Sequence, residues 1–216
     1  MSPEDLAARH PRLYHLTEPD ALPGILRHGL LPTQALLTLF EVAAADRRAI
    51  ERQRRPASVR LDHPDHGRAT ITDNVPLHMA KLARCLDDGL APEDWLRKLN
   101  ERVFLWADQK GLAGLLSAKL NLTRDRQVLV LDTLSVARRC GARVELSPIN
   151  SGSTLHVPAR RGLSTFTPLE RHSYKEWQWL RRKSGPDRVK EVTVVGSVPD
   201  VAEHLLEHYI VPGSHA

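Results

Sequence analysis

Residues 127–131 read QVLVL, a short apolar run closed off by polar neighbours, and this pattern constrains the fold more than any other in the chain. Such a run marks a strand buried on both faces, so other segments must supply a layer for each side of a sheet. Residues 192–195, VTVV, repeat the pattern near the end of the sequence. Neither run approaches the roughly 20 residues that cross a bilayer as a helix, which predicts a chain that does not span a membrane. The opening residues, MSPEDLAARHPRLYHLT, carry early acids and no apolar stretch of the kind a secretory signal requires. Two cysteines, Cys85 and Cys140, are too few for a disulfide framework. A cytoplasmic protein is the expectation. With 216 residues, 41% hydrophobic and 26% charged, the chain has the length and balance of one compact domain.

Further elements follow from periodicity and punctuation. Residues 12–17 (RLYHLT) alternate as a strand, and Glu18-Pro19-Asp20 supplies a turn. Leu22, Ile25, Leu26 and Leu30 then follow at helical spacing, with Gly29 placed to cap the helix. The pattern predicts one helix over residues 35–54, ended by Pro56, and a loop over residues 61–74 with a short strand near 69–71. Helices over residues 76–86 and 92–99 precede a strand at 102–106 (RVFLW) and a helix capped by Asp108. A short helix at 134–139 and a strand at 143–146 lead into residues 147–167, whose Ser, Gly, Pro and Asn content reads as a long ordered loop. A charged helix over about 175–183, a strand at 189–195 and a closing helix at 200–209 complete the chain. Strands and helices alternate irregularly, which favours a single α+β domain over a doubly wound sheet.

The charge balance points to polyanions. Lysine and arginine exceed aspartate and glutamate by 31 to 26, a net +5. Much of the excess sits in two clusters, Arg47, Arg48, Arg52, Arg54, Arg55 and Arg60, then Arg181, Arg182, Lys183, Arg188 and Lys190. Each cluster is either a solvated helix face or a site for nucleic acid or a phosphate-bearing cofactor, since guanidinium pairs bidentately with phosphate.

No Walker loop, GxGxxG, GxSxG or HExxH is present, which removes several large enzyme classes. His63 and His66 in HPDHG, with Asp62 and Asp65, are of metal-binding types but lack a third fixed ligand nearby, so no metal site is predicted. Cys85 reads as a small core residue on a leucine-rich helix. Polar residues at strand positions are better candidates. His15 and Thr17 share one strand face, as either a pair of ligand-binding groups or a satisfied strand histidine beside a β-favouring threonine. Glu191 and Thr193 share another, and a carboxylate opening an apolar strand is either functional or a guard on a sheet edge.

The order of these features resembles the DarT-type ADP-ribosyltransferases and their bacterial relatives. The resemblance rests on YHLT followed by PGILRHGLL, the Arg-rich segment ending RRP, VFLWAD with its leucine-rich helix, SPINSGS, and KEVTVV with VPDVAEHL. It implies an ADP-ribosyltransferase-like split mixed β-sheet core with flanking helices, with residues 72–100 as a helical insertion. It further implies NAD as substrate, bound by His15 and Thr17 with the adjoining Tyr14, and no metal. Glu191 is then the catalytic carboxylate, and Arg55 or its neighbour Arg54 assists it. Trp106 stands near the nicotinamide, and Asn150 and Ser151 lie in a loop beside the site. VFLW replaces the VPFYF strand of the DarT proteins, which leaves the acceptor open. The resemblance and the arginine clusters favour single-stranded DNA or RNA as that acceptor, and an antitoxin or ADP-ribose hydrolase as partner. Two other readings fit the same residues: a non-catalytic nucleic-acid-binding protein, and an NAD-dependent RNA-processing transferase.

Overall fold

The computed structural model describes residues 1–155, 157–180 and 189–214. Arg181, Arg182, Lys183 and Arg188 of the second basic cluster lie outside the described residues, as does the expected end of their helix.

Ser2 caps helix α1 (Pro3–Arg9) with its hydroxyl on the Asp5 amide, and strand β1 (Arg12–Thr17) follows. Helix α2 (Leu22–His28) ends at Gly29, whose φ of 83° is open to glycine at little cost. The single helix expected over residues 35–54 is two, α3 (Thr33–Leu39) and α4 (Ala44–Arg52). The chain breaks between them because Phe40 turns into a small core with Leu37, Leu61 and Ile71, and Glu41 takes a left-handed φ of 51°. The expected loop at 61–74 is instead largely a hairpin, β2 (Val59–His63) with β3 (Gly67–Ile71). Leu61 and Ile71 anchor it inward, and Gly67, at φ 71°, closes the turn.

Helices α5 (Met79–Cys85) and α6 (Pro92–Asn100) come next, then strand β4 (Arg102–Trp106). Asp108 caps α7 (Gln109–Leu116) by accepting from the Gly111 amide. The short α8 (Lys119–Leu122), strand β5 (Arg126–Asp132), helix α9 (Thr133–Cys140) and strand β6 (Val144–Ser147) follow. After the long loop come β7 (Thr167–Pro168), α10 (Tyr174–Leu180) and β8 (Glu191–Val195). The expected closing helix is a single turn, α11 (Val201–His204), succeeded by strand β9 (Leu205–Val211). Tyr209, Ile210 and Val211 favour extended backbone, and pairing with β5 outweighs the weak helical pattern.

The protein is a single mixed α/β domain. Among the described residues seven strands form one sheet in the order β7-β6-β8-β4-β1-β5-β9. Each of its strand pairs is antiparallel, which corrects the expected mixed sheet. One face carries Leu13, Leu105, Leu129, Leu131, Val192 and Val194 against Leu6 of α1 and Val136 and Ala137 of α9. The opposite face is covered by α7 through Leu112, and the α5–α6 pair packs with Phe104 and Phe166. Residues 72–100 therefore do contain the two expected helices. β8 lies between β4 and β6, so Glu191 is no guard on a sheet edge.

One seam in this sheet departs from regular pairing. β1 matches β5 at every residue from Arg12 to Thr17 but meets β4 only at Tyr14 opposite Trp106. Two histidine rings reach across that seam. His10 Nδ1 lies 2.9 Å from the Ala107 carbonyl, and His15 Nδ1 lies 3.0 Å from the Phe104 carbonyl. A carbonyl only accepts, so each ring donates from Nδ1. Beyond Tyr14 the two strands part, and the opening is the floor of a cavity.

Gly29 fixes one wall of that opening. A Cβ there would lie 2.5 Å from the Val198 carbonyl oxygen, at a backbone angle that L-residues rarely adopt. Gly29→Ala is expected to cost about 2–3 kcal/mol, combining left-handed strain and steric displacement. Thermal unfolding should show the Tm falling by roughly 5–10 °C, and an unchanged Tm would contradict this account.

Candidate active site

The cavity has a volume of ≈ 410 Å³ and is mainly apolar, with polar groups entering from several elements. His15 and Thr17 of β1, Trp106 of β4, Glu191 of β8, Arg55 from the segment after α4 and Asn150 from the long loop all line it. Alternation puts His15 and Thr17 on the face of the sheet opposite to Trp106 and Glu191, so they share a cavity only because the β1–β4 seam is open.

Three other candidates sit elsewhere. Tyr14 is buried beside Leu112, Val128 and Val130 and does not line the cavity. Arg54 is exposed, with its guanidinium donating to the carbonyls of Leu77 at 2.8 Å and Val75 at 2.9 Å. That geometry separates Arg54 from Arg55, since only Arg55 faces the cavity. Ser151 is fully buried beneath the wall and is occupied with Glu191.

Glu191 is the most constrained group of the set. It is 4% exposed and begins a central strand, opposite Trp106 on one side and Ser147 on the other. The Ser147 hydroxyl donates to the Ile149 carbonyl at 3.0 Å, turning the chain sharply after β6. That turn brings Ser151 over the carboxylate, to which its amide donates at 3.1 and 3.2 Å and its hydroxyl at 2.7 Å. Burial nevertheless dominates and pushes the carboxyl up to about 7, against the opposing effects of Ser151, Arg161 and Lys190.

The remaining groups are fixed as firmly. Burial lowers the His15 pKa, so the ring is neutral at neutral pH. Because Nδ1 donates to Phe104, Nε2 is the ring's acceptor, suited to a hydroxyl donor. Arg55 donates to the carbonyls of Thr72 and Ile50 and to the Asn100 side chain at 3.2 Å. Burial lowers its pKa to about 10, which leaves it cationic at neutral pH. Trp106 is seated by Gly111, where a Cβ would come within 2.6 Å of the indole.

Several residues around the site were not singled out from sequence. Arg102 lines the cavity and pairs with Glu145 at 2.8 Å, its guanidinium 4.5 Å from the Phe166 ring centroid. Asn100, which orients Arg55, ends α6 and gives no local signal. His28 and His66 line the same cavity, with ring centroids 5.0 Å apart. His66 belongs to HPDHG, which the sequence marked only as carrying metal-binding residue types, and its ring stacks on His63 at 4.5 Å. Arg161, in ARRG, is buried and donates to the Ser151 carbonyl.

The sequence matches, over residues 11–205, a family described only as a family of unknown function, DUF7002. The chain belongs to that family. No curated protein matches the sequence. Within the DUF7002 match lie both ends of the site, from His15 to Glu191. No helix among the described residues is long and apolar enough to cross a membrane.

The raised Glu191 pKa has a consequence for stability. Below the ordinary value of 4.5 the group is protonated both folded and unfolded, and burial costs nothing extra. As pH rises towards about 7 the unfolded chain ionises first, so folding loses up to about 3 kcal/mol and then levels off. Glu191→Gln removes this dependence. Thermal unfolding between pH 5 and 8 should show the variant gaining on the unsubstituted protein by several degrees, with the gap fully open above pH 7. Parallel curves would show that Glu191 is not the buried acid described.

Proposed function

We propose that the protein is an NAD-dependent ADP-ribosyltransferase acting on a nucleic acid. One observation carries the reading: His15, Thr17, Arg55, Trp106, Asn150 and Glu191, drawn from segments up to 176 positions apart in sequence, line one cavity. Its size is that of a small-molecule site. The sheet open beyond a single β1–β4 pair also suits the split core of that enzyme class.

The residue chemistry is consistent with the reaction. Breaking the bond between nicotinamide nitrogen and ribose C1′ leaves the electron pair on nicotinamide and positive charge on the sugar. An ionised Glu191 beside the ribose, accepting from its 2′-hydroxyl, stabilises that charge as it develops. The His15 Nε2 acceptor and the Thr17 hydroxyl suit ribose hydroxyls, the Arg55 guanidinium suits the pyrophosphate, and the Trp106 indole suits a stack with nicotinamide. The acceptor nucleophile then bonds to C1′ and gives up its proton, for which a carboxylate is a competent base. Asn100 and Asp73 hold Arg55 in place by hydrogen bond and by charge.

A nucleic-acid acceptor is favoured by the exposed Arg48, Arg52 and Arg54, which precede Arg55 within one short stretch. Among the described residues none of these three forms an ion pair. Exposed guanidinium groups without a carboxylate partner attract a phosphate backbone and position it without reading sequence.

Incubation with NAD should release nicotinamide, and NAD in large excess over its Kd should raise the Tm by several degrees. Glu191→Gln is expected to lower nicotinamide release by at least about a hundredfold. The rate should increase as pH rises through about 7, because the ionised carboxylate is the active form. Labelled NAD offered with single-stranded DNA, RNA and protein should mark nucleic acid. Label on protein alone would overturn the acceptor, and neither binding nor release of nicotinamide would overturn the transferase.

A further inference from the structure

Arg161 lies behind the cavity wall and is 2% exposed. Among the described residues no carboxylate forms an ion pair with it. Burying a cation costs several kcal/mol unless something offsets it, so such a residue calls for an explanation. Its guanidinium donates to the Ser151 carbonyl at 3.0 Å and to the Ala159 carbonyl at 3.1 Å, 5.9 Å from the Trp95 ring centroid. Trp95 Nε1 donates to the same Ser151 carbonyl at 3.3 Å. Ser151 is thus gripped at its carbonyl by two buried donors while its amide and hydroxyl grip Glu191.

The backbone around Arg161 is fixed as well. Its amide donates to the Cys85 carbonyl at 2.9 Å and its carbonyl accepts from the Asp87 amide at 2.8 Å, tying the long loop to the end of α5. We propose that Arg161 is a positioning residue for Glu191, holding the Ser151 bridge in place and supplying a buried positive charge that favours the ionised carboxylate turned to the cavity.

The other charged groups around Glu191 do not replace this one. Lys190 precedes it on the same segment and is exposed. From β4 its partner is the uncharged Trp106, and Arg102 further along that strand is committed to Glu145 of β6. From β6 its partner is Ser147. Arg55 and His15 line the cavity itself, and His15 is neutral. Arg161 is also the first charged group among the influences that oppose the effect of burial on Glu191.

The consequence for rate rests on Glu191 being the transferase carboxylate, whereas the contact can be read without NAD. The midpoint of Glu191 follows from subtracting the pH dependence of unfolding in Glu191→Gln from that of the unsubstituted protein. On an Arg161→Met background the midpoint should move up by about one pH unit, a tenfold change in ionisation constant, and on Arg161→Lys it should stay near the original. Where Arg161→Met does not fold, Arg161→Gln keeps a donor for the Ser151 carbonyl and removes the charge alone, with a shift in the same direction expected. An unchanged midpoint in a folded, charge-free variant overturns the proposal. In nicotinamide release the pH profile of that variant should shift upward, with the rate recovering at high pH. A merely structural role would lower the rate equally at every pH. A shifted midpoint with no nicotinamide release in any variant would sustain the Arg161 assignment and sink the transferase.

Discussion

Two imidazole rings laid across the β1–β4 seam determine how the rest of this molecule is arranged. A regular ladder there would have closed the sheet and sealed the space that Thr17, Phe104 and Trp106 now border. Instead the strands meet at one residue pair, and His10 and His15 satisfy carbonyls on the facing segment. A buried carbonyl left unpaired costs about 1–3 kcal/mol, so the rings make the opening tolerable as well as marking it. Residues from opposite faces of the sheet thereby meet in one cavity, an outcome that an intact antiparallel sheet forbids.

The wall beneath the cavity is built differently from the core on the other side. There, Leu6, Leu13, Leu129 and Val192 pack as a layer of aliphatic side chains. Under the cavity lie Glu191, Ser151, Arg161 and Trp95, a connected polar network with most of its bonds to backbone. Such a network adds little net stability compared with apolar packing, but it holds side chains in one geometry because each member has only one satisfied arrangement. A polar positioning network thus sits among the apolar clusters of the α5–α6 pair and α7 on that side of the sheet.

Much of the framework was legible from local pattern. Strands at 102–106, 127–131 and 189–195 announce themselves because central strands need apolar residues whatever their neighbours, and the strand at 12–17 does so by its alternation. The errors came where distant contacts overrode local preference. Phe40 broke a helix to reach Ile71, and residues 205–211 abandoned a helical pattern to pair with β5. The site divides the same way. His15 and Glu191 stand out as polar residues in strands, whereas Arg161 and Asn100 look like ordinary surface types and acquire meaning only from what they touch. Ser151 was visible as part of a polar loop, but its attachment to a carboxylate 40 positions later was not.

The strand order also fixes a schedule for folding. β1 is made before both of its neighbours in the sheet, β4 and β5, whose residues follow about 90 and 115 positions later. A half-apolar strand therefore waits, unpaired, while about 90 further residues are made. β4 waits in turn for β8, about 90 positions later. Closing such distant pairs is slow and exposes sticky edges meanwhile, so nascent chains of this protein depend on whatever shields RLYHLT until its partners arrive.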